Sequence, residues 1–116
     1  MLQVSCLPPK AFPIPINENS KNVWGIPHGA IIFAIADVAS GVAVHNASGK
    51  STKTISSNLN FLDNYTDIKK LTAYGEVTRL GKSIGYTSVI VKDEKDRLIA
   101  QGQYVMKVFS TDVYKK

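Results

Sequence analysis

Asp37 is the only charged side chain between Gly29 and Val44, in a stretch (GAIIFAIADVASGVAV) made otherwise of small and apolar residues. An ionised carboxylate buried without partners is costly, so this one must be paired, protonated or in contact with a ligand. Two readings stay open: a hydrogen bond to a neighbouring loop, or an acid that faces a substrate. At helical spacing Ala30, Ala34 and Gly41 share a stripe with Asp37 and leave space in front of it. Space beside a buried carboxylate suggests a substrate or an opposing helix.

Nine residues before the acid stands His28, followed by Gly29 and Ala30. The first backbone N–H groups of a helix have no intrahelical partner. Aided by the helix dipole, they can polarise a carbonyl or hold an oxyanion. Gly29 has no side chain to block a ligand, although a glycine that merely eases a tight turn is the plainer reading. Asn22, just upstream, is either an amide donor to the same carbonyl or an ordinary loop residue. His28 reads as a structural hydrogen-bonder, because its protonation would oppose the dipole. Thr54, Ser56 and Ser57 are further hydroxyls, and His45 falls near a helix end.

Gly29 and Asp37 are eight residues apart, which on a helix is roughly 12 Å along the axis. A catalytic acid must come within about 3–3.5 Å of the atom that the oxyanion donors hold. One chain cannot easily bring both to one carbonyl. Two chains with antiparallel helices can, each helix start facing the other's Asp37. If both features act together, the protein is at least a dimer with two shared sites.

The elements that must position these groups are legible from period and punctuation. Residues 1–16 hold four of the five prolines, so this segment is extended, with an edge strand at 12–16. A polar loop covers 17–22. Pro27 suits a helix entrance, and the helix is expected over 29–44. Ile31, Ile35, Val38 and Val42 form one stripe, and with no charge but Asp37 the helix should be buried nearly all round. From Ile55 the period switches to two. Strands at 55–61, 71–81, 83–93 and 97–109 read as an antiparallel meander, with Leu71, Ala73 and Val77 on one face and Leu98, Ala100, Tyr104, Met106 and Val108 on another. One helix and this sheet make an α+β fold, a sheet wrapped around a single helix, and residues 1–116 read as one domain.

Composition narrows the function. The single Cys6 excludes an intrachain disulfide and multi-thiolate zinc sites, lies near no base that would make it a nucleophile, and points to a cytoplasmic setting. The opening MLQVSCLPPK has no basic start followed by an apolar core, so no secretory signal is expected. The apolar run 29–44 is shorter than a membrane span. A net charge of +5 is spread along the chain without an aromatic-interleaved basic stripe. That argues against nucleic acid; the excess reads first as a solvated face, and otherwise as a site for an anionic ligand, a phosphate above all. No G-x-S-x-G elbow or phosphate-binding glycine loop is present.

The string Asn22-x-x-Gly25-x-x-His28-Gly29-Ala30, with Asp37 following, resembles the motif of hotdog-fold acyl-CoA thioesterases, nearest the phenylacetate-pathway and 4-hydroxybenzoyl-CoA branch. ISSNLNFLD (55–63) and RLGKSIGYTSVIVKDEKDRLIAQGQY (79–104) fit as well, and the likeness spans about 12–109. The resemblance implies that the Gly29 amide and the Asn22 side chain polarise a thioester carbonyl. It makes Asp37 of a second subunit the nucleophile or general base and Thr54 a water-orienting hydroxyl, with His28 supporting the loop. Arg79 and Lys82 would meet the coenzyme A phosphates, and Ser83 and Ala30 would be further substrate-binding positions. It implies no metal or cofactor, coenzyme A being part of the substrate, and a homodimer that assembles into a tetramer. Ala30 departs from the motif's second glycine; the amide survives, but the methyl narrows the approach. The rival reading is a non-catalytic acyl-CoA-binding hotdog protein. A hotdog dehydratase is weaker, because its aspartate–histidine pairing is not seen.

Overall fold

In this computed structural model residues 9–110 are described; Cys6 and Pro8 lie outside them. Strand β1 (Lys10–Pro15) is followed by a short 3-10 turn at Glu18–Ser20, helix α1 (Gly29–Ser48), and strands β2 (Thr52–Phe61), β3 (Lys70–Leu80), β4 (Ile84–Asp93) and β5 (Leu98–Val108). All strand pairs are antiparallel, in the order β1-β3-β4-β5-β2. The proline-bearing β1 lies on an edge, as expected, turning Phe12 and Ile14 towards Ala73 and Leu71. The arrangement is the hotdog fold, one long helix against a five-stranded antiparallel sheet.

The four-strand meander is corrected. Only β3, β4 and β5 follow one another; β2 pairs with β5 at the far edge, and residues 62–69 carry the chain back across to β3. Alternation states which face a residue takes, not which strand lies beside it, and an eight-residue connection is too long to be a tight hairpin turn. Leu98 is also corrected: it is exposed, whereas Ile99 and Ala100 are both buried. A register shift opposite Val91 and Lys92 bulges β5 there, which breaks the alternation.

Helix α1 runs past Val44 to Ser48 and closes on Gly49, which adopts φ 71° and returns its N–H to His45 O at 2.7 Å. At 20 residues it is long and apolar enough in composition to cross a membrane, yet here it lies on the sheet. Ile32, Ile35, Ala36, Ala39, Ser40, Ala43 and Val44 face the strands. The expected all-round burial does not occur within one chain: Phe33, Val38 and Val42 stay about 40% exposed (39%, 39% and 41%). A sheet covers only one side, and a uniformly apolar helix does not announce which.

The buried face is rich in alanine because the helix lies close to β3. A Cβ on Gly75 would stand 2.6 Å from the Ala39 carbonyl oxygen. Inside this layer Thr87 Oγ1 bonds Ser40 Oγ at 3.0 Å and the Tyr104 carbonyl at 3.2 Å, which satisfies two buried hydroxyls. Gly75→Ala is expected to destabilise the fold by about 2–3 kcal/mol through overpacking against backbone. Thr87→Val, which strands the Ser40 hydroxyl, should cost about 1–2 kcal/mol. Urea titration of the two variants checks both values.

Candidate active site

The loop that leads into the helix is stiffened by its own polar groups. Asn22 N–H donates to Ile26 O (2.9 Å) and Gly25 N–H to Asn22 O (3.0 Å), while Gly25 takes φ 76°, a conformation suited to glycine. The Asn22 side-chain oxygen accepts from the Trp24 N–H at 3.0 Å and the Ile26 N–H at 3.4 Å. That oxygen is therefore committed to the loop, and only the Asn22 Nδ2 remains to donate outwards. The tip carries Val23 and Trp24 into solvent, 89% and 76% exposed.

His28 is the residue before the first helical turn, and its carbonyl accepts from Ile31 N–H (3.1 Å) and Ile32 N–H (3.3 Å). Its ring is exposed and makes no capping bond, so the backbone rather than the imidazole supports the turn. Gly29 and Ala30 follow, both exposed, and among the described residues their N–H groups bond no acceptor. The Phe61 ring on β2 flanks this start, 3.6 Å from where a Gly29 Cβ would sit.

Asp37 is half-buried and paired, and its partner is a strand, not a loop. Thr54 Oγ1 on β2 donates to Asp37 Oδ1 at 2.5 Å and also lies 3.4 Å from the Met106 sulfur. Asp37 Oδ2 accepts no bond among the described residues. The acid therefore opens onto the exposed apolar face of α1, with one oxygen oriented and the other available.

Tyr104, read from the sequence only as a core residue, belongs to this neighbourhood. Its hydroxyl donates to Phe33 O at 3.0 Å, and its ring meets Phe33 at 5.6 Å between centroids. Burial, with the negative charge of Asp37 second, pushes the phenol well above its ordinary range, so it stays a donor. The sequence signal was available: a tyrosine on an inward strand position needs a partner for its hydroxyl.

Arg79, Lys82, Lys53 and Lys107 fall at the end of the strands away from Gly29, Lys53 and Lys107 being next in sequence to Thr54 and Met106. Arg79 follows a bulge in β3 and lines a cavity of about 430 Å³ with Tyr86 and Gln103. Lys82 and Ser83, in the β3–β4 turn, line another of about 250 Å³ together with Lys107. Arg79 thus lines a different cavity from Lys82 and Ser83. Lys107 stands beside Ile84 on β4 and directly opposite Lys53 on β2. Like charges opposed across strands repel, and among the described residues Lys53, Lys82, Lys107 and Arg79 enter no ion pair. No cluster of three or more metal-binding side chains occurs among those residues.

The family model that matches residues 25–100 is that of the Thioesterase superfamily, and the chain belongs to it. No curated protein sequence matches it. Among solved structures, it is similar to a thioesterase of Haemophilus influenzae (21% identity, 85% of this chain and 70% of that one, TM-score 0.79). A Streptococcus mutans protein bound to acetyl-CoA resembles it at 24% identity, over 88% of this chain and 82% of that one, with a TM-score of 0.79. A hypothetical thioesterase from Streptococcus pneumoniae, solved with coenzyme A, gives 24%, 88% and 79%, with a TM-score of 0.78.

Tyr104→Phe checks the buried phenol. The stability contributed by the neutral hydroxyl is intact below about pH 10, the ordinary tyrosine value, and fades as pH rises above it, when the unfolded chain ionises first. Alkaline unfolding of Tyr104→Phe should show a shallower loss of stability above that pH than wild type.

Proposed function

We propose that the protein hydrolyses the thioester of an acyl-CoA to a carboxylic acid and free coenzyme A, at sites shared between two copies of the chain. The observation that carries this reading is the Asp37–Thr54 pair on an open apolar face of α1, one oxygen held and the other free. The amides at the start of the same helix lie roughly 12 Å away along the axis. A second copy with its helix antiparallel supplies the acid to the first copy's amides.

In this arrangement the Gly29 N–H, with Ala30 N–H and Asn22 Nδ2 beside it, binds the thioester oxygen and gains strength as that oxygen becomes negative. Asp37 of the second copy takes a proton from water as the water oxygen bonds the carbonyl carbon, or attacks that carbon itself. Collapse of the tetrahedral intermediate breaks the C–S bond, and the coenzyme thiolate leaves and is protonated. If Asp37 attacks, water then cleaves the anhydride. Thr54 fixes the rotamer of the acid by its bond to Oδ1. The half-exposed Phe33, Val38 and Val42, and the open edge of β2 with Ile55 and Phe61 54% exposed, are apolar surfaces suited to the second copy and to an acyl group.

Arg79, Lys82 and Ser83, joined by Lys53 and Lys107, take the phosphates, and the anion relieves the repulsion between the opposed lysines. The coenzyme A and acetyl-CoA present in the streptococcal structures of similar fold support this ligand class. The Asn22-x-x-Gly25-x-x-His28-Gly29 string favours the aromatic acyl-CoA branch.

An acyl-CoA panel with aromatic and aliphatic members, followed by a thiol reagent, tests the activity. Asp37→Ala should lower kcat by about a hundredfold or more; a variant as active as wild type rejects the role given to the acid. Lys82→Ala should raise KM severalfold for acyl-CoA yet leave acyl-pantetheine unchanged. Tight acyl-CoA binding without turnover would instead identify a binding protein.

A further inference from the structure

The crossing segment 62–69 carries the chain from the edge strand β2 back across the sheet to β3, and it is held at several points. Leu62 and Asp63 donate their N–H groups to Ile99 O at 2.9 and 3.2 Å. The Asp63 carboxylate accepts from Asn64 N–H (2.8 Å) and from the Tyr65 hydroxyl (2.7 Å). Arg97 lies over the Tyr65 ring, 3.7 Å from its centroid, and bonds Asp67 (2.7 Å) and the buried Asp93 carboxylate (2.6 Å). Lys95 and Arg97 together hold Asp67 far below the usual carboxylate range.

From this braced segment one side chain reaches the helix start. Asn64 Oδ1 accepts from Tyr65 N–H at 2.9 Å, which orients the amide, and Asn64 Nδ2 donates to the Pro27 carbonyl at 3.2 Å. Pro27 is fully buried. The other end of the same peptide unit is also held: His28 N–H donates to Ser20 O at 3.0 Å. The Pro27–His28 peptide is therefore clamped at both its carbonyl and its amide. It immediately precedes Gly29, a residue whose own backbone imposes little restraint.

We propose that Asn64 is a positioning residue for hydrolysis: by clamping the Pro27–His28 peptide from the Arg97-braced crossing segment, it aims the Gly29 and Ala30 amides at the thioester oxygen. The inference rests on the reading of those amides given above. Asn64 touches no substrate. Its effect passes through one peptide plane, and small misorientation of an oxyanion donor is costly because the interaction depends on distance and direction.

Three measurements on Asn64→Ala and Asn64→Asp test it. Asn64→Ala should lower kcat by about 10- to 100-fold with KM within about twofold of wild type, and a purely structural role would not produce that split. In Asn64→Asp the ionised carboxylate faces the Pro27 carbonyl without a donor, whereas its protonated form can donate. Its kcat relative to wild type should therefore rise as pH falls below about 5. In amide NMR spectra of Asn64→Ala, the Gly29 and Ala30 resonances should shift while those of β4 stay in place. Unchanged kcat in Asn64→Ala, or unmoved Gly29 and Ala30 resonances, overturns the clamp. If wild type turns over no acyl-CoA, the hydrolase reading fails, and the two resonances still decide whether the clamp exists.

Discussion

The contact between the Ala39 backbone and Gly75 is the constraint on which the rest of the molecule depends. A helix that lies this close to a strand must present alanines and a serine towards it, and Ala36, Ala39, Ser40 and Ala43 do so. Once that face is committed to the sheet, the orientation of every other helical position follows. Phe33, Ala34, Val38 and Val42 are turned outwards, and Asp37 sits at the border where β2 can reach it. The exposure of Asp37 is thus a by-product of close packing: the sheet uses the alanine-rich side of the helix and leaves the other side open.

Around that open side the polar groups divide the labour by position. Thr54 and Tyr104 come from the sheet and order the region around the acid, Thr54 by bonding Asp37 and Tyr104 by bonding the carbonyl of Phe33 one turn earlier. The helix start depends on loops instead, with Asn22 stiffening one and Asn64 reaching in from another. At the end of the strands away from Gly29, Lys53, Lys82 and Lys107 enter no ion pair among the described residues. The acid and the unbonded amides share α1, whereas Thr54 and the lysines belong to the strands and their turns, so helical rise and sheet register together set their spacing.

Much of this was legible in the residues. Proline in β1, the change from period 3.6 to period two by Ile55, and the turn residues around Gly81 and Asp96 located the helix and strands to within a few positions. The separation of Gly29 from Asp37 could be computed from helical rise alone. What escaped has a common cause, in that it depends on neighbours distant in sequence. Alternation could not say that β2 leaves its successor and joins β5, so the opposition of Lys53 and Lys107 stayed hidden. The bulge that buries Ile99 and exposes Leu98 breaks the very pattern used to assign faces. The stripe with Val38 and Val42 was as apolar as the buried one, and only residue size, alanine against valine, distinguished them. Asn64 looked like any loop asparagine until the crossing segment placed it beneath Pro27.

The rigid turn at Asn22–Gly25 has one last consequence. It holds the chain's sole tryptophan in water, a few residues from the helix start. An indole in that setting emits at long wavelength and is readily quenched by small solutes. Anything that covers the loop, a second subunit or a bound thioester, should move its emission towards the blue and shield it from the quencher. The molecule thereby contains its own optical gauge of occupancy, free of the background that additional indoles would add.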